Sequence, residues 1–274
     1  MPELPEVETV RRTLLELVRH KTIQQVTIHW PKMIKEPDDA QVFMRQIVGQ
    51  TIHDVRRRGK FLLFELTDFV LVSHLRMEGR YGLYKSDQDV DKHTHVIFHF
   101  DDYTELRYAD VRKFGTMHLF QKGTEETILP LLQLGVEPFS EQFTVELLQT
   151  AYEQSKRTIK TALLDQKTVV GLGNIYVDEA LFRAAIQPER LASSITAEEM
   201  TVLHRAIIDT LQEAVDAGGS SIKSYVNGQG EMGMFQQSLH VYGRKDQPCH
   251  HCGTPIVKTV VGGRGTHFCP LCQH

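Results

Sequence analysis

The chain's four cysteines form two Cys-x-x-Cys hooks, Cys249/Cys252 and Cys269/Cys272, with sixteen residues between the hooks. Each hook can donate two thiolates from a tight turn, and the separation matches a tetrahedral four-cysteine zinc site. The sequence between them reads as a hairpin: Pro255–Val261, a Gly262–Gly265 turn, then Thr266–Phe268. A ribbon this small cannot bury a core, so one structural zinc ion per chain must supply its folding energy. Two disulfides are the competing reading. They are disfavoured because the acidic N-terminus carries no secretory signal, which leaves reduced thiols as the expectation. The hairpin also places Arg264 at its tip among glycines. A phosphate binder uses such a cation and a purely structural ribbon does not, but spacing alone leaves both readings open.

The other end of the chain, Met1-Pro2-Glu3-Leu4-Pro5-Glu6-Val7-Glu8, offers a second kind of chemistry. Removal of Met1 would expose the Pro2 nitrogen as a free secondary amine. Such an amine can attack a sugar or carbonyl carbon and form an iminium ion. A helix N-terminus behind it disfavours the protonated form, and the Glu3 carboxylate beside it could carry protons during attack. The plain alternative is a capped helix start with a frayed tip.

These groups need elements to hold them. Val7, Val10, Leu14, Leu17 and Val18 fall on one face at helical spacing over residues 5–20, with Pro5 suited to the first turn. From Thr22 to about Gln121 the pattern shifts to short runs of β-branched and aromatic residues: Thr22–Trp30, Phe61–Leu66, Val70–Leu75, His93–Phe100 and Thr104–Tyr108. In His93–Phe100, Thr94, Val96, Phe98 and Phe100 alternate with His93, His95, Ile97 and His99, as an antiparallel sandwich requires. Residues 129–143, with Pro130, Gly135 and Pro138, read as a linker. Helical periodicity then predicts Thr144–Tyr152, Lys156–Leu164, Asn174–Ala185 and Thr196–Ala217, the last opened by a Thr196/Glu199 capping box. Gly218–Gln237 is rich in glycine and polar residues and reads as a mobile loop. The fold class is α+β, in three parts: 1–136, 137–239 with the loop at about 218–237, and 240–274.

Bulk composition sets few limits. Hydrophobic residues make up 41% and charged residues 24%, with a formal net charge of −4. An acidic sum argues against a nucleic-acid binder, but local charge matters more than the total. Arg56-Arg57-Arg58-Gly59-Lys60 is one basic run. From residue 240 onward Arg244, Lys245, Lys258 and Arg264 face only Asp246. No apolar stretch is long enough to span a membrane, and the reading is a cytoplasmic protein.

Taken together these pieces resemble the formamidopyrimidine-DNA glycosylase family over essentially the whole chain. The resemblance rests on the opening octapeptide, Arg58-Gly59-Lys60, and Ser73-His74-Leu75-Arg76-Met77-Glu78-Gly79-Arg80. It continues through Asp110-Val111-Arg112-Lys113-Phe114-Gly115, Gly171-Leu172-Gly173-Asn174-Ile175-Tyr176, and the four-cysteine module with Arg264. It implies an N-terminal helix and β-sandwich, a helix–two-turn–helix domain and a zinc ribbon, with DNA in the cleft between the lobes. It implies a bacterial, nucleoid-associated enzyme that works as a monomer on duplex DNA carrying oxidised purines or abasic sites. The implied reaction is base removal through a Schiff base on the N-terminal proline, followed by β,δ-elimination.

The resemblance also implies roles. Pro2 is the nucleophile, Glu3 the acid serving the sugar ring, and Glu6 part of the same proton network. Lys60 assists elimination, and Arg264 grips phosphate for the second elimination. His74, His93, Arg112, Lys156, Asn174, Tyr242 and Lys258 hold the DNA backbone. Met77, Arg112 and Phe114 fill the hole left by the everted base and probe its partner; without the family Met77 and Phe114 would read as strand core. Glu78, Ser220, Ile222, Lys223, Ser224 and Tyr225 are lesion-pocket candidates. Two rivals remain: an endonuclease VIII-like enzyme for oxidised pyrimidines, disfavoured by the opening octapeptide and the Arg112/Phe114 pair, and a non-enzymatic zinc-ribbon DNA binder.

Overall fold

The computed structural model describes residues 1–220 and 239–274. Ile222, Lys223, Ser224 and Tyr225, with nearly all of the expected Gly218–Gln237 loop, lie outside the described residues. The chain divides into two compact units, one containing Met1–Pro2 and Glu6–Gln133, the other Glu3–Pro5, Leu134–Ser220 and the residues from 239 onward. The crossing at Gln133–Leu134 lies inside the stretch read as a linker.

The chain opens in helix α1 (Leu4–Val18). Val7, Leu14 and Val18 are fully buried and Val10 nearly so, as helical spacing requires. Nine strands follow in the first unit: β1 (Ile23–Ile28), β2 (Ile34–Glu36), β3 (Asp54–Arg58), β4 (Phe61–Glu65), β5 (Phe69–His74), β6 (Arg80–Lys85), β7 (Thr94–Phe100), β8 (Thr104–Ala109) and β9 (Thr116–Gln121). They form one sheet in the order β1-β7-β8-β6 and another in the order β2-β9-β5-β4-β3. Inward residues of both sheets (Val26, Phe98 and Leu106 from one, Leu62, Leu71 and Met117 from the other) share a single core with the apolar face of α1. The sandwich expected from alternation is therefore present.

Two local expectations need correction. The all-strand region contains a helix, α2 (Ala40–Ile47), started by Asp39, whose carboxylate accepts the N–H groups of Gln41 at 2.7 Å and Val42 at 3.3 Å. Phe43 and Ile47, one helical turn apart, pin it to the core. Strand β7 is also buried on both faces rather than half exposed. On its outer side Thr27, His99 and Glu105 are hydrogen bonded in a chain, and Arg107 bonds Glu105 while stacking on Tyr84.

The second unit is helical: α3 (Val145–Tyr152), α4 (Ile159–Leu163), α5 (Asn174–Arg183) and α6 (Ala197–Asp216), with the β10 (Val257–Val261)/β11 (Arg264–Phe268) hairpin. The Thr196/Glu199 capping box is formed in both directions. Helix α4 starts three residues later than expected, because the Thr158 hydroxyl, not Lys156, caps it; Lys156 is exposed in the preceding loop. Between α4 and α5 the Gln166 side chain zips the two turns, donating to Leu164 O and Leu172 O and accepting from Gly171 N. In the hairpin Gly262 and Gly263 both take positive φ, +55° and +73°, giving a two-residue turn of the kind strand twist favours. Arg264 is thus not at the tip but opens β11, opposite Val261. No helix among the described residues is long and apolar enough to cross a membrane.

Candidate active site and metal centre

The second unit holds Glu3. It is 2% exposed, and its carboxylate accepts the backbone N–H groups of Gly173 at 2.7 Å, Ile175 at 2.9 Å and Tyr176 at 3.3 Å. These are first-turn donors of α5, whose N-cap Gly173 offers no side chain of its own. An anion at the positive end of a helix is favoured by the dipole as well as by the hydrogen bonds. A Cβ at Gly173 would fall 2.3 Å from the Glu3 carboxyl carbon, and one at Gly171 would fall 2.5 Å from Leu4. The Gly171–Asn174 motif is shaped around the chain's own third and fourth residues, and Leu4 N–H is bonded to Gly171 O at 3.1 Å. Pro2, immediately before Glu3, is buried; Met1 is exposed.

In the first unit the Arg58–Phe61 turn carries Lys60, 6% exposed, after Gly59 at φ +56°. Arg57 steadies that turn by donating to Gly59 O at 2.9 Å, and it also contacts Glu8 on α1 at 3.3 Å. Burial opposes ionisation of Glu8, but Arg11, Arg12 and Arg57 hold its carboxyl below the ordinary value. Glu6 is buried in the same helical turns. His74, at the end of β5, is pushed down to about 3 by burial and by the nearby Arg76, Lys60 and His118. Its Nδ1 accepts the Arg76 backbone N–H at 2.9 Å, which leaves a proton on Nε2 and makes the neutral ring a donor. Burial, with Lys35 and Arg76, lowers His118 to about 4. Cations and neutral donors gathered in this way are suited to an anion.

Met77 and Glu78 are half-buried in the turn after β5, and Phe114 is 51% exposed in the loop after β8, so neither Met77 nor Phe114 is strand core. The Arg112 guanidinium stacks on the Phe114 ring at 4.6 Å. His93 is half-buried in the turn before β7.

Helix α5 organises the rest of the second unit. Asn174 Nδ2 donates to Gly265 O at 2.8 Å. Fully buried Lys160 and Asp178 pair at 2.7 Å, and Lys160 Nζ also donates to Thr266 Oγ1 at 2.8 Å and Gly265 O at 3.2 Å. The other Asp178 oxygen accepts His267 N–H at 2.8 Å. Glu179 accepts the N–H groups of His240, Val241 and Tyr242, though burial raises its carboxyl above the ordinary value. Asn174, Asp178 and Glu179, with Lys160 from α4, thereby fix Gly265, Thr266 and His267, the three residues that follow Arg264, and the backbone of Tyr242. Arg264 and Lys258 are exposed on the hairpin, Tyr242 is half-buried against His267, and Ser220 is buried after α6. Sequence reasoning missed Arg57, His118, Lys160, Asp178 and Glu179. Arg57 stood in the basic run Arg56–Lys60 and Lys160 beside the basic pair Lys156-Arg157, each read as surface charge; His118, Asp178 and Glu179 look like ordinary polar positions until the chain is folded.

The four cysteine sulfurs lie within 4.8 Å of one another. Cys249–Cys272 and Cys252–Cys269 separations are 3.9 Å and 3.5 Å. A tetrahedron with ~2.3 Å zinc–sulfur bonds has edges of about 3.8 Å, so the cage fits zinc. Disulfide geometry, at about 2.05 Å, is far from it. Once bound, the ion supplies folding energy to the ribbon and no step of a reaction.

A docked chain start beside a clamped carboxylate, a helix–two-turn–helix and a four-cysteine ribbon define a class of DNA-processing protein. Family models agree throughout: the formamidopyrimidine-DNA glycosylase N-terminal domain over residues 1–117, its H2TH domain over 134–226, and the zinc finger found in FPG and IleRS over 246–274. The chain belongs to the formamidopyrimidine-DNA glycosylase family, and it carries that zinc finger's single structural zinc. A formamidopyrimidine-DNA glycosylase of Shouchella clausii is 73% identical, covering 100% of this chain and 99% of that one. One of Bacillus subtilis is 60% identical with the same coverage. A solved Lactococcus lactis Fpg in complex with abasic-site DNA is similar at TM-score 0.93 and 42% identity, covering 99% of each chain.

Proposed function

We propose that the chain removes oxidised purines from duplex DNA and then cleaves the strand, as a monomeric DNA glycosylase and abasic-site lyase of base-excision repair in the bacterial cytoplasm. What carries the reading is the chain start: buried Pro2 followed directly by a carboxylate held on three N–H groups. A terminus with only a structural duty needs no such clamp.

With Met1 removed, the Pro2 amine attacks C1′ of the damaged nucleotide; the new N–C1′ bond forms as the bond to the base breaks, and the base leaves with the bonding pair and takes a proton from solvent. Glu3, held as an acceptor, takes the proton released from the amine and passes it to the ring oxygen, so that the sugar opens to an iminium. Glu6 belongs to the same proton path. The iminium acidifies the C2′ proton, whose loss expels the 3′ phosphate; Lys60 serves this elimination from beside the neutral His74 ring. A second elimination expels the 5′ phosphate, gripped by Arg264. His74, Asn174, Tyr242 and Lys258 hold the backbone, with His93, Arg112 and Lys156. Met77, Arg112 and Phe114 occupy the opened base step, and Arg112 offers two donors to the orphaned cytosine. Glu78 and Ser220 border the lesion, and the parts are residues 1–136, 137–239 and 240–274.

Borohydride reduction of the iminium is the test. An authentic N-terminus should give a stable protein–DNA adduct; Pro2→Gly, or any extension ahead of Pro2, should give none. Undiminished trapping by the extended protein would remove Pro2 from its role. Preference for oxidised thymine over 8-oxoguanine opposite cytosine would move the chain to the pyrimidine branch.

A further inference from the structure

The two loops assigned above to opening the base step close on one buried side chain. Tyr108, on β8, is fully buried against Tyr81, ring centroids 5.0 Å apart. A Cβ at Gly79, two residues past Met77, would lie 2.1 Å from the Tyr108 hydroxyl. A Cβ at Gly115, directly after Phe114, would lie 1.8 Å from the same oxygen. Neither position can carry a side chain while the phenol is there, so both loop backbones rest on it.

Asp110, 1% exposed, fixes the second loop from within. One carboxylate oxygen accepts Arg112 N–H at 2.9 Å; the other accepts Phe114 N–H at 2.8 Å and Gly115 N–H at 2.9 Å. Its backbone is held as well: its N–H donates to His93 O at 3.0 Å, and its carbonyl bonds His95 Nε2 at 2.8 Å. These bonds offset the left-handed conformation of Lys113, φ 58°. They present Arg112 and Phe114 stacked, outward and without support from the core. A wedge that must enter a stacked duplex works only when its geometry is set beforehand, since ordering it on contact would consume binding energy.

We infer that Tyr108 and Asp110 are the positioning residues of the base-opening wedge, holding the Met77 loop and the Arg112/Phe114 loop in a common register. The inference rests on the wedge reading of Met77, Arg112 and Phe114. Neither residue touches DNA; both act through the loops.

The test uses full-length, zinc-loaded protein with an authentic N-terminus and two substrates. One is 8-oxoguanine paired with cytosine, followed by single-turnover excision. The other is a preformed abasic site opposite a one-nucleotide gap, where no base pair needs opening. Asp110→Asn places an NH2 group against N–H donors and should slow excision of the paired lesion by about tenfold or more, one to two lost hydrogen bonds' worth. Cleavage of the gapped substrate should stay within about twofold. Tyr108→Phe should show a smaller loss with the same selectivity. Phe114→Ala should show the split too, and adding Asp110→Asn to it should cost little more. Equal losses on both substrates would mean general damage to the fold and overturn the inference. So would full excision by Asp110→Asn and Tyr108→Phe beside an impaired Phe114→Ala. If Phe114→Ala loses nothing, the wedge reading fails, and the inference with it.

Discussion

The Lys160–Asp178 pair allows the sharpest energetic prediction. Both side chains have no exposed surface, and their 2.7 Å contact is the one ion pair of Lys160 among the described residues. In Asp178→Asn the ammonium keeps Thr266 Oγ1 and Gly265 O but loses its counter-charge while remaining in the interior. Breaking a buried pair in this way costs about 3–5 kcal/mol. Lys160→Met leaves the reciprocal fault, a buried carboxylate left with His267 N–H at 2.8 Å and the His267 ring Nδ1 at 3.6 Å, and should cost a similar amount. The double variant buries no charge; it leaves Thr266 and Gly265 short of a donor, about 1–3 kcal/mol. The two single losses should therefore exceed the double by several kcal/mol. Urea unfolding followed by far-ultraviolet circular dichroism reads this, since α3 to α6 all belong to the affected unit. The chain's single tryptophan, Trp30, lies in the other unit, and its fluorescence transition should stay put. Additive losses, or a single loss below about 1 kcal/mol, would show that the pair is solvated in solution and refute the argument. Because Lys160 fixes Gly265 and Thr266, Lys160→Met should also leave more product stopped after the first elimination, the step before Arg264 acts.

Gly173→Ala sets a methyl against the Glu3 carboxyl carbon at 2.3 Å and should abolish borohydride trapping while the zinc ribbon stays folded; efficient trapping would mean the Glu3 clamp is dispensable. His74 is held to about 3 in the folded protein against 6.5 for a free ring. Between those values the unfolded chain binds a proton that the native state refuses, so stability falls as pH drops below 6.5. From pH 6.5 to 5 the wild type should lose about 2 kcal/mol more than His74→Gln in urea unfolding; a His74 resonance titrating near 6.5 would contradict this. Zinc removal should unfold residues 240–274 and abolish tight binding of abasic-site DNA, read by gel shift on verified metal-free protein; binding at the original strength would oppose a role for the ribbon.

How much of this was legible from the sequence depends on how far each partner lies along the chain. Helix α1 announces itself because Val7, Val10, Leu14 and Val18 report a local period, and α6 because Thr196 and Glu199 cap each other three residues apart. Helix α2 was legible in principle from Asp39, Phe43 and Ile47. It was lost because its short period sits among strands. The zinc cage is readable since each hook is local and the two hooks repeat. By contrast, Glu3 finds its three N–H groups at residues 173–176, and nothing in MPELPEVE names them. The family motif pointed to Glu3 and to Gly173 separately, without saying that one is the seat of the other.

Lys160, Asp178 and Glu179 fail for a different reason. Single charged residues on helices are usually solvated, and the rule that charges stay outside misplaces all three. Their burial follows from a ribbon too small to dock by apolar area. Among the described residues the buried ribbon cluster with Phe182 contains only Val241, Cys249, Ile256 and Cys269, so α4 and α5 must hold the ribbon by hydrogen bonds to its backbone. Carboxylates and an ammonium make the strongest such bonds. They also specify register, since a slip of one residue along β11 would break the pairing of Lys160, Asn174 and Asp178 with Gly265, Thr266 and His267. A phosphate-gripping arginine needs that constraint more than it needs stability. On this argument the charged interior of α4 and α5 and the exposed charge of Arg264 belong to one design problem, and substitutions that restore stability with apolar residues at Lys160 and Asp178 should leave a stable protein whose second elimination is slow.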